Sequence, residues 1–351
     1  MIPQPPFSPD DGFDDLDLGP GPYDDPALSE ENDDRKVDPA SPLSRDAPGW
    51  IAKSADSGQW RAAQGTWAEE MAEVAGKVGQ LKERLRSGPA GGRRRLALME
   101  VADLGWWAGE RVGLDQLILA AEDRLAGVQD QSQAFSALLW SVRRLLQPLG
   151  PGKDVTGIAA FLGRSRAGEA PGKDLRGIEA ALAGAAGVHP IVRGAMVFHL
   201  WRASGTGGVT RDLEAAVLGA RIAGDRGGVA EFLPLALSSG AGLRASGTVE
   251  ARLQAWLGGA GQATGAALLH LDRLEDWRAR ARDALAGLSG KTPGRLVEVL
   301  GDLPVVSAPM AEKKTGASRA AVQRNLEMME EKGLIREMTG QGRYRLWTAK
   351  I

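Results

Sequence analysis

The apolar positions of this chain fall into helical repeats over most of its length. Between about Ser57 and Ser87, Trp67, Met71, Val74, Val78, Leu81 and Leu85 recur at spacings of four and three, the seam of a short coiled coil. About two and a half heptads of seam leave an intramolecular hairpin and a homodimer both open. Further helices are predicted at 94–111, 115–127, 131–147, 155–163, 174–186, 190–203, 211–224, 249–258 and 262–286, most of them separated by Pro and Gly clusters. No stretch before the last sixty residues alternates with period two, which argues against a parallel sheet and its cofactor sites. The predicted fold class is mainly α, with one large helical domain.

The last sixty residues change the pattern. An apolar helix starts at about Pro293. Ser307 can cap a short helix over 308–314 whose first turn tolerates Pro309, because proline lacks only an N–H that would be unpaired there. Gly316 supplies the positive φ that ends it, and Ser318 is placed to cap the next helix. In that helix, at about 318–332, Val322, Leu326 and Met329 form the buried stripe, while Ala320, Gln323, Arg324, Glu327 and Glu331 point away. Gly333 stops it. Leu334–Met338 and Arg343–Trp347 then read as two strands around the turn Thr339-Gly340-Gln341-Gly342. Helix, three-residue turn, helix and basic hairpin are the plan of a winged helix-turn-helix. Duplex DNA is the partner such a module implies, and docking of another protein is the competing use. The recognition helix would present Arg319, Gln323 and Arg324 to base edges, since Arg pairs with guanine and Gln with adenine. Ser318, Arg343 and Arg345 would contact phosphates. Lys313 and Lys314 read as a solvated helix end or as backbone contacts.

Charge is distributed unevenly. The 351 residues carry a formal charge of −2, but residues 1–40 hold 12 Asp or Glu against Arg35 and Lys36, so that segment is −10 and the remainder +8. The segment is also rich in proline and without apolar period, which predicts disorder. Two roles are open for it: a solubilising tail, or a DNA mimic that competes for the basic C-terminal module. The predicted organisation is a disordered acidic tail at 1–48, an α-helical domain at 49–290 and a winged helix-turn-helix at 291–351. The chain has no cysteine, which excludes disulfides and thiolate metal sites. No apolar run is long enough to span a bilayer, and no signal-peptide pattern opens the sequence. A cytoplasmic protein is expected.

Several candidate motifs do not carry chemistry. Gly290-Lys291-Thr292 resembles the end of a phosphate-binding loop, but Leu285 stands where its first glycine belongs and no strand precedes it. Ser204-Gly205-Thr206-Gly207-Gly208 reads as a linker between helices. His189, His199 and His270 lack metal-ligand spacing. Pro151-Gly152-Lys153-Asp154 recurs as Pro171-Gly172-Lys173-Asp174, a repeated helix start with Asp154 and Asp174 as caps. No metal, cofactor or catalytic residue is called for.

The segments Val306-Ser307-Ala308-Pro309-Met310 and Thr339-Gly340-Gln341-Gly342-Arg343-Tyr344-Arg345-Leu346-Trp347 resemble the C-terminal end of a bacterial, largely plasmid-associated family of uncharacterised regulators. In that family the module follows an α-helical domain of unknown function. The likeness extends to Phe232-Leu233-Pro234-Leu235-Ala236-Leu237 and Leu274-Glu275-Asp276-Trp277-Arg278-Ala279-Arg280-Ala281. It implies a transcriptional regulator. A second, weaker resemblance is to Fic proteins, AMP-transferring enzymes that often end in a winged helix. His189-Pro190-Ile191-Val192-Arg193-Gly194-Ala195-Met196-Val197 aligns with their signature and keeps its His, its Pro and one Gly. Arg193 replaces the metal-binding acid and Val197 the phosphate-binding Arg, so that likeness implies a catalytically inactive, degenerate Fic domain. A divergent nucleotidyl transferase using His189 and an adaptor with a protein-docking winged helix are the alternatives to a DNA-binding regulator.

Overall fold

A computed structural model of the chain describes residues 56–89, 91–122, 133–147, 155–163, 173–204, 207–224, 231–237, 239–339 and 345–351. The acidic segment expected at 1–48 and the cap expected at Asp154 lie outside these residues, as does the side chain of Asp174. The fold is mainly α, with a small antiparallel sheet of three strands near the C-terminus.

The predicted helix over 57–87 is two helices. α1 (Ser57–Thr66) opens with Asp56 accepting from Gly58 N–H, and the non-helical backbone of Trp67 separates it from α2 (Ala68–Ser87). Val74, Val78 and Leu81 of the predicted seam are buried. Their partner is a helix of the same chain, α10 (Val249–Leu285). Val74 lies against Gly261, and Arg84 pairs with Asp272 and Glu275 further along, so α2 and α10 run parallel. The seam is satisfied within the molecule.

α10 corrects a second expectation. The run Gly258-Gly259-Ala260-Gly261 was expected to divide it into helices at 249–258 and 262–286, yet the helix is continuous. These glycines admit neighbours. A Cβ on Gly259 would stand 2.8 Å from the Cα of Gly242, and one on Gly242 would stand 2.6 Å from the carbonyl oxygen of Ala255. The short 3₁₀ turn Ala241–Arg244 thus touches α10 backbone to backbone. Packing offsets the entropic cost of glycine inside a helix.

α3 (Gly91–Ala108), α4 (Leu114–Glu122), α5 (Gln133–Leu146), α6 (Val155–Leu162) and α7 (Lys173–Gly184) pack with α1 and α10 around a central pair, α8 (Pro190–Ser204) and α9 (Arg211–Gly224). Every residue of α9 from Leu213 onward is buried, as are Gly194 to Trp201 of α8. A helix apolar on all sides belongs inside a core. Gly194 and Gly219 let the two backbones approach, since a Cβ on Gly219 would lie 3.0 Å from the Gly194 carbonyl oxygen.

The charges inside this core are held by main-chain groups at Glu100 and Arg221 and by side chains at Glu214. Glu100 of α3 is fully buried and accepts from the N–H groups of Leu235 (2.7 Å), Ala236 (3.0 Å) and Leu237 (3.0 Å). Burial pushes its carboxyl up to about 7, against the pull of those three amides. The segment Phe232–Leu237 is thereby tied to α3. Arg221 donates to the carbonyls of Leu145, Gln147 and Glu231. Glu214 accepts from the Trp201 indole at 3.0 Å and from the Thr210 hydroxyl at 3.2 Å.

The C-terminal module is α11 (Thr292–Asp302), β1 (Val306–Ser307), α12 (Ala308–Thr315), α13 (Arg319–Glu331), β2 (Ile335–Glu337) and β3 (Leu346–Ala349), with sheet order β1-β3-β2. Ile335 pairs with Ala349 and Glu337 with Trp347, and Val306 pairs with Trp347 from the other side. The second wing strand, expected at 343–347, begins three residues later, and β1 was not foreseen. A strand of two residues carries no alternation to read; it exists because β3 offers it an edge.

Candidate nucleic-acid interface

Local chemistry builds the helix-turn-helix. Ser307 Oγ accepts from Met310 N–H at 3.3 Å and Ser318 Oγ from Ala321 N–H at 3.4 Å, so both serines are N-caps, with Pro309 in the first turn of α12. Gly316 ends α12 at φ 66° and Gly333 follows α13 at φ 69°. Thr315 donates its hydroxyl to Ala311 O at 2.6 Å and accepts from Ala317 N–H, which fixes the turn between the two helices. Val322, Leu326 and Met329 are buried, which turns the opposite face of α13 outward.

That outward face is cationic at its N-terminal end. Between Lys313 and Leu326 the sequence has four Lys or Arg and no Asp or Glu. Arg319 and Arg324 are exposed, as is Lys313 at the end of α12, and none of these three makes an ion pair among the described residues. The fourth is paired: Lys314 binds Glu122 of α4 at 2.9 Å, which ties the end of α12 to the helical body. Glu122 also pairs with Arg94 of α3. Gln323 is half-buried and donates to Glu327 at 2.8 Å. Ser318 is exposed at the helix start.

The two wing arginines differ. Arg343 lies outside the described residues, with the rest of the turn at 340–344. Arg345 is half-buried and paired: it reaches Glu330 at 3.4 Å and Glu337 at 3.5 Å, and its guanidinium lies 5.2 Å from the centre of the Trp347 ring. These partners join the base of the hairpin to α13 and engage the guanidinium of Arg345.

Residues outside the module hold it in place. Trp277 of α10, fully buried, donates its indole N–H to Leu334 O at 2.7 Å. Arg95 of α3 donates to the carbonyls of Leu300 (3.0 Å) and Leu303 (2.7 Å) at the end of α11. Its Nε donates at 2.8 Å to His270 Nε2. Burial, then the charges of Arg95 and Arg273, push His270 down to about 4, which keeps the ring neutral and able to accept. Arg278 of α10 binds Asp302 at 2.9 Å. Nothing in the sequence marks Arg95 for this role, because the acceptors of a buried Arg are set by the fold.

The histidines have structural duties. His189 caps α8, its Nδ1 accepting from Ile191 N–H at 3.2 Å while its own N–H donates to Gln64. His199 is buried between Trp60 and Phe198. No group of three or more His, Cys, Asp or Glu suited to a metal ion occurs among the described residues. Among those residues no helix is long and apolar enough to cross a membrane.

A search of curated proteins finds no match. A family model described as an HTH DNA binding domain matches residues 293–349, the span from the first turn of α11 to the end of β3. The match does not reach the helical body, and it gives no support to the plasmid-associated family or to a Fic likeness. Match and geometry agree on one point: the chain carries a C-terminal helix-turn-helix DNA-binding domain.

Proposed function

We propose that the protein is a transcriptional regulator that reads duplex DNA with the N-terminal half of α13 in the major groove. The observation that carries this reading is the cluster of Lys313, Arg319 and Arg324, exposed and without ion pairs among the described residues, while Lys314 and Arg345 next to it are paired. Cations left without acid partners on a helix-turn-helix are what a polyanion requires. Arg319 and Arg324 read base edges. Gln323 joins them by exchanging its bond to Glu327 for an adenine edge. Ser318, at the start of α13, contacts phosphate together with Lys313 and the wing residue Arg343. Arg345 braces the wing from within. The helical body sets the orientation of α11 through Arg95 and of the wing through Trp277, so a change in the body would move the reader.

Fluorescence anisotropy of the full-length protein on DNA from its own upstream region and on scrambled DNA, over a salt series, tests the reading. A preference for the native fragment that persists at physiological salt is the expected result. Equal, weak and steeply salt-dependent binding to both DNAs would overturn it.

A further inference from the structure

We infer that the acidic N-terminal segment occupies the cationic face of α13 in the absence of DNA and must leave it for DNA to bind. The inference rests on the proposed function for the competing ligand. Its own support is charge, exposure and reach.

Residues 1–40 carry 12 carboxylates against two basic residues, and seven of the carboxylates fall between Asp10 and Asp25. The face formed by Lys313, Arg319 and Arg324 has no acid of its own between Lys313 and Leu326 and no ion pair among the described residues. The start of α13 adds the partial positive charge and exposed N–H groups of a helix N-terminus. Of the cations nearest that face in space or sequence, Lys314 is engaged by Glu122 and Arg345 by Glu330 and Glu337, and on the neighbouring helix α10 Arg278 is engaged by Asp302; Lys291, Lys332, Arg336 and Lys350 are exposed without an ion pair among the described residues but do not belong to the N-terminal half of α13.

Reach is sufficient. α1 begins beside the N-terminal end of α10, where Trp60 stacks on His199 and Arg252 lies close to the same ring. The module sits at the other end of α10, where Trp277 meets Leu334. From Arg252 to Trp277 the helix rises roughly 40 Å. The chain from Asp56 back to Asp34 can extend roughly 70 Å, so the carboxylates from Asp34 to Asp10 all come within range. Tethering converts a weak ionic contact into an intramolecular one at high effective concentration. Bound in this way, the segment replaces small counterions on the three cations. DNA that displaces it then gains less from counterion release than it would on an uncovered face.

Two arms on the full-length chain test this. Zero-length carbodiimide coupling of carboxylates to amines, without DNA, should join residues 10–34 to Lys313 in preference to the exposed Lys332 and Lys350, and the product should fade at high salt. Coupling spread evenly over all three lysines would overturn the contact. In the second arm Asp10, Asp11, Asp14, Asp15, Asp17, Asp24 and Asp25 are changed to Asn together. That variant should bind DNA about tenfold tighter in low salt, with a slope of log K against log salt steeper by about two to three, and should converge with the parent at high salt. Equal affinity and slope for the two proteins would overturn the competition. Failure of both to bind any DNA would overturn the function on which the inference rests, while the coupling arm would still decide the contact.

Discussion

His199 and the α13 arginines show how single residues carry opposite burdens. His199 is buried against Trp60 and Phe198, and burial, then the charges of Arg252 and Arg202, push its imidazole from 6.5 down to about 3. The unfolded chain takes up a proton as pH falls through 6.5, whereas the folded chain resists until about 3. The stability linked to this ring is therefore complete above pH 6.5 and is lost progressively below it, at about 1.4 kcal/mol per pH unit. Glu100, raised to about 7, gains stability as pH falls over the same window, so the test is a difference: between pH 7.5 and 5.5 the urea midpoint of His199→Phe should fall by less, or rise by more, than that of the parent, and an equal change would remove His199 as a cause. His270 titrates with the same sign. Arg319 is exposed and makes no ion pair among the described residues, and the proposed function gives it a part in recognition. Arg319→Ala should leave the thermal midpoint unchanged and relax discrimination at one base pair by about 1 to 3 kcal/mol, whereas Lys313→Ala should weaken all sequences alike and reduce the salt slope by about one. Competition binding on single-base variants of the preferred site separates the two. Equal loss on every sequence from Arg319→Ala would withdraw the base-reading role.

At the scale of elements, α10 provides an internal comparison. Gly258 and Gly259 are adjacent in one helix, but a Cβ on Gly258 would meet nothing within 4 Å, while one on Gly259 would press into Gly242. Gly258→Ala should stabilise the protein by about 0.5 to 1 kcal/mol through helix propensity, and Gly259→Ala should destabilise it by more than that. Chemical denaturation of the two variants checks the pair; the same sign in both would mean that the turn at 241–244 is not seated on α10. The caps and glycines of the helix-turn-helix were legible in the sequence because their partners are two to four residues away: Ser307 with Met310, Ser318 with Ala321, Gly316 at the end of α12. The glycine run was misread for the converse reason. Composition alone does not distinguish a glycine that ends a helix from one that admits a neighbour 17 residues back in the chain, as Gly242 is to Gly259.

At the scale of the whole molecule, the expected boundary at 290/291 lies in the short connection between α10 and α11, and the apolar core runs across it. Leu274, Trp277, Ala281 and Leu285 of α10 are buried in the same cluster as Leu296, Leu300, Val322 and Leu326. Trp277 alone contributes roughly 4 to 6 kcal/mol by the area it removes from water. A fragment of residues 287–351 would lose that cover, the Arg95 bonds to Leu300 and Leu303, and the Glu122 partner of Lys314. It should show no cooperative thermal transition under conditions in which the full chain does, as monitored by circular dichroism. A cooperative transition in the fragment would mean that the module folds independently of the body.

The sequence by itself determined the helical class, the succession of α11, α12, α13 and the wing, the capping serines, and the buried stripe of α13. Each of these depends on contacts within a turn or two of helix or on a repeating apolar period, and both are written locally. Only the tertiary structure decided which of the cations Lys313, Lys314, Arg319, Arg324 and Arg345 are left without an acid partner. Lys314 and Arg345 carry the same charge as Lys313 and Arg324, but Glu122, 192 positions before Lys314 in the chain, and Glu330, on the helix that the hairpin folds against, pair with them. It also decided that the seam of α2 closes on α10 and that Arg95 caps α11. A charge or an apolar face is a local property; its partner is fixed by where distant segments come to rest once the core has packed.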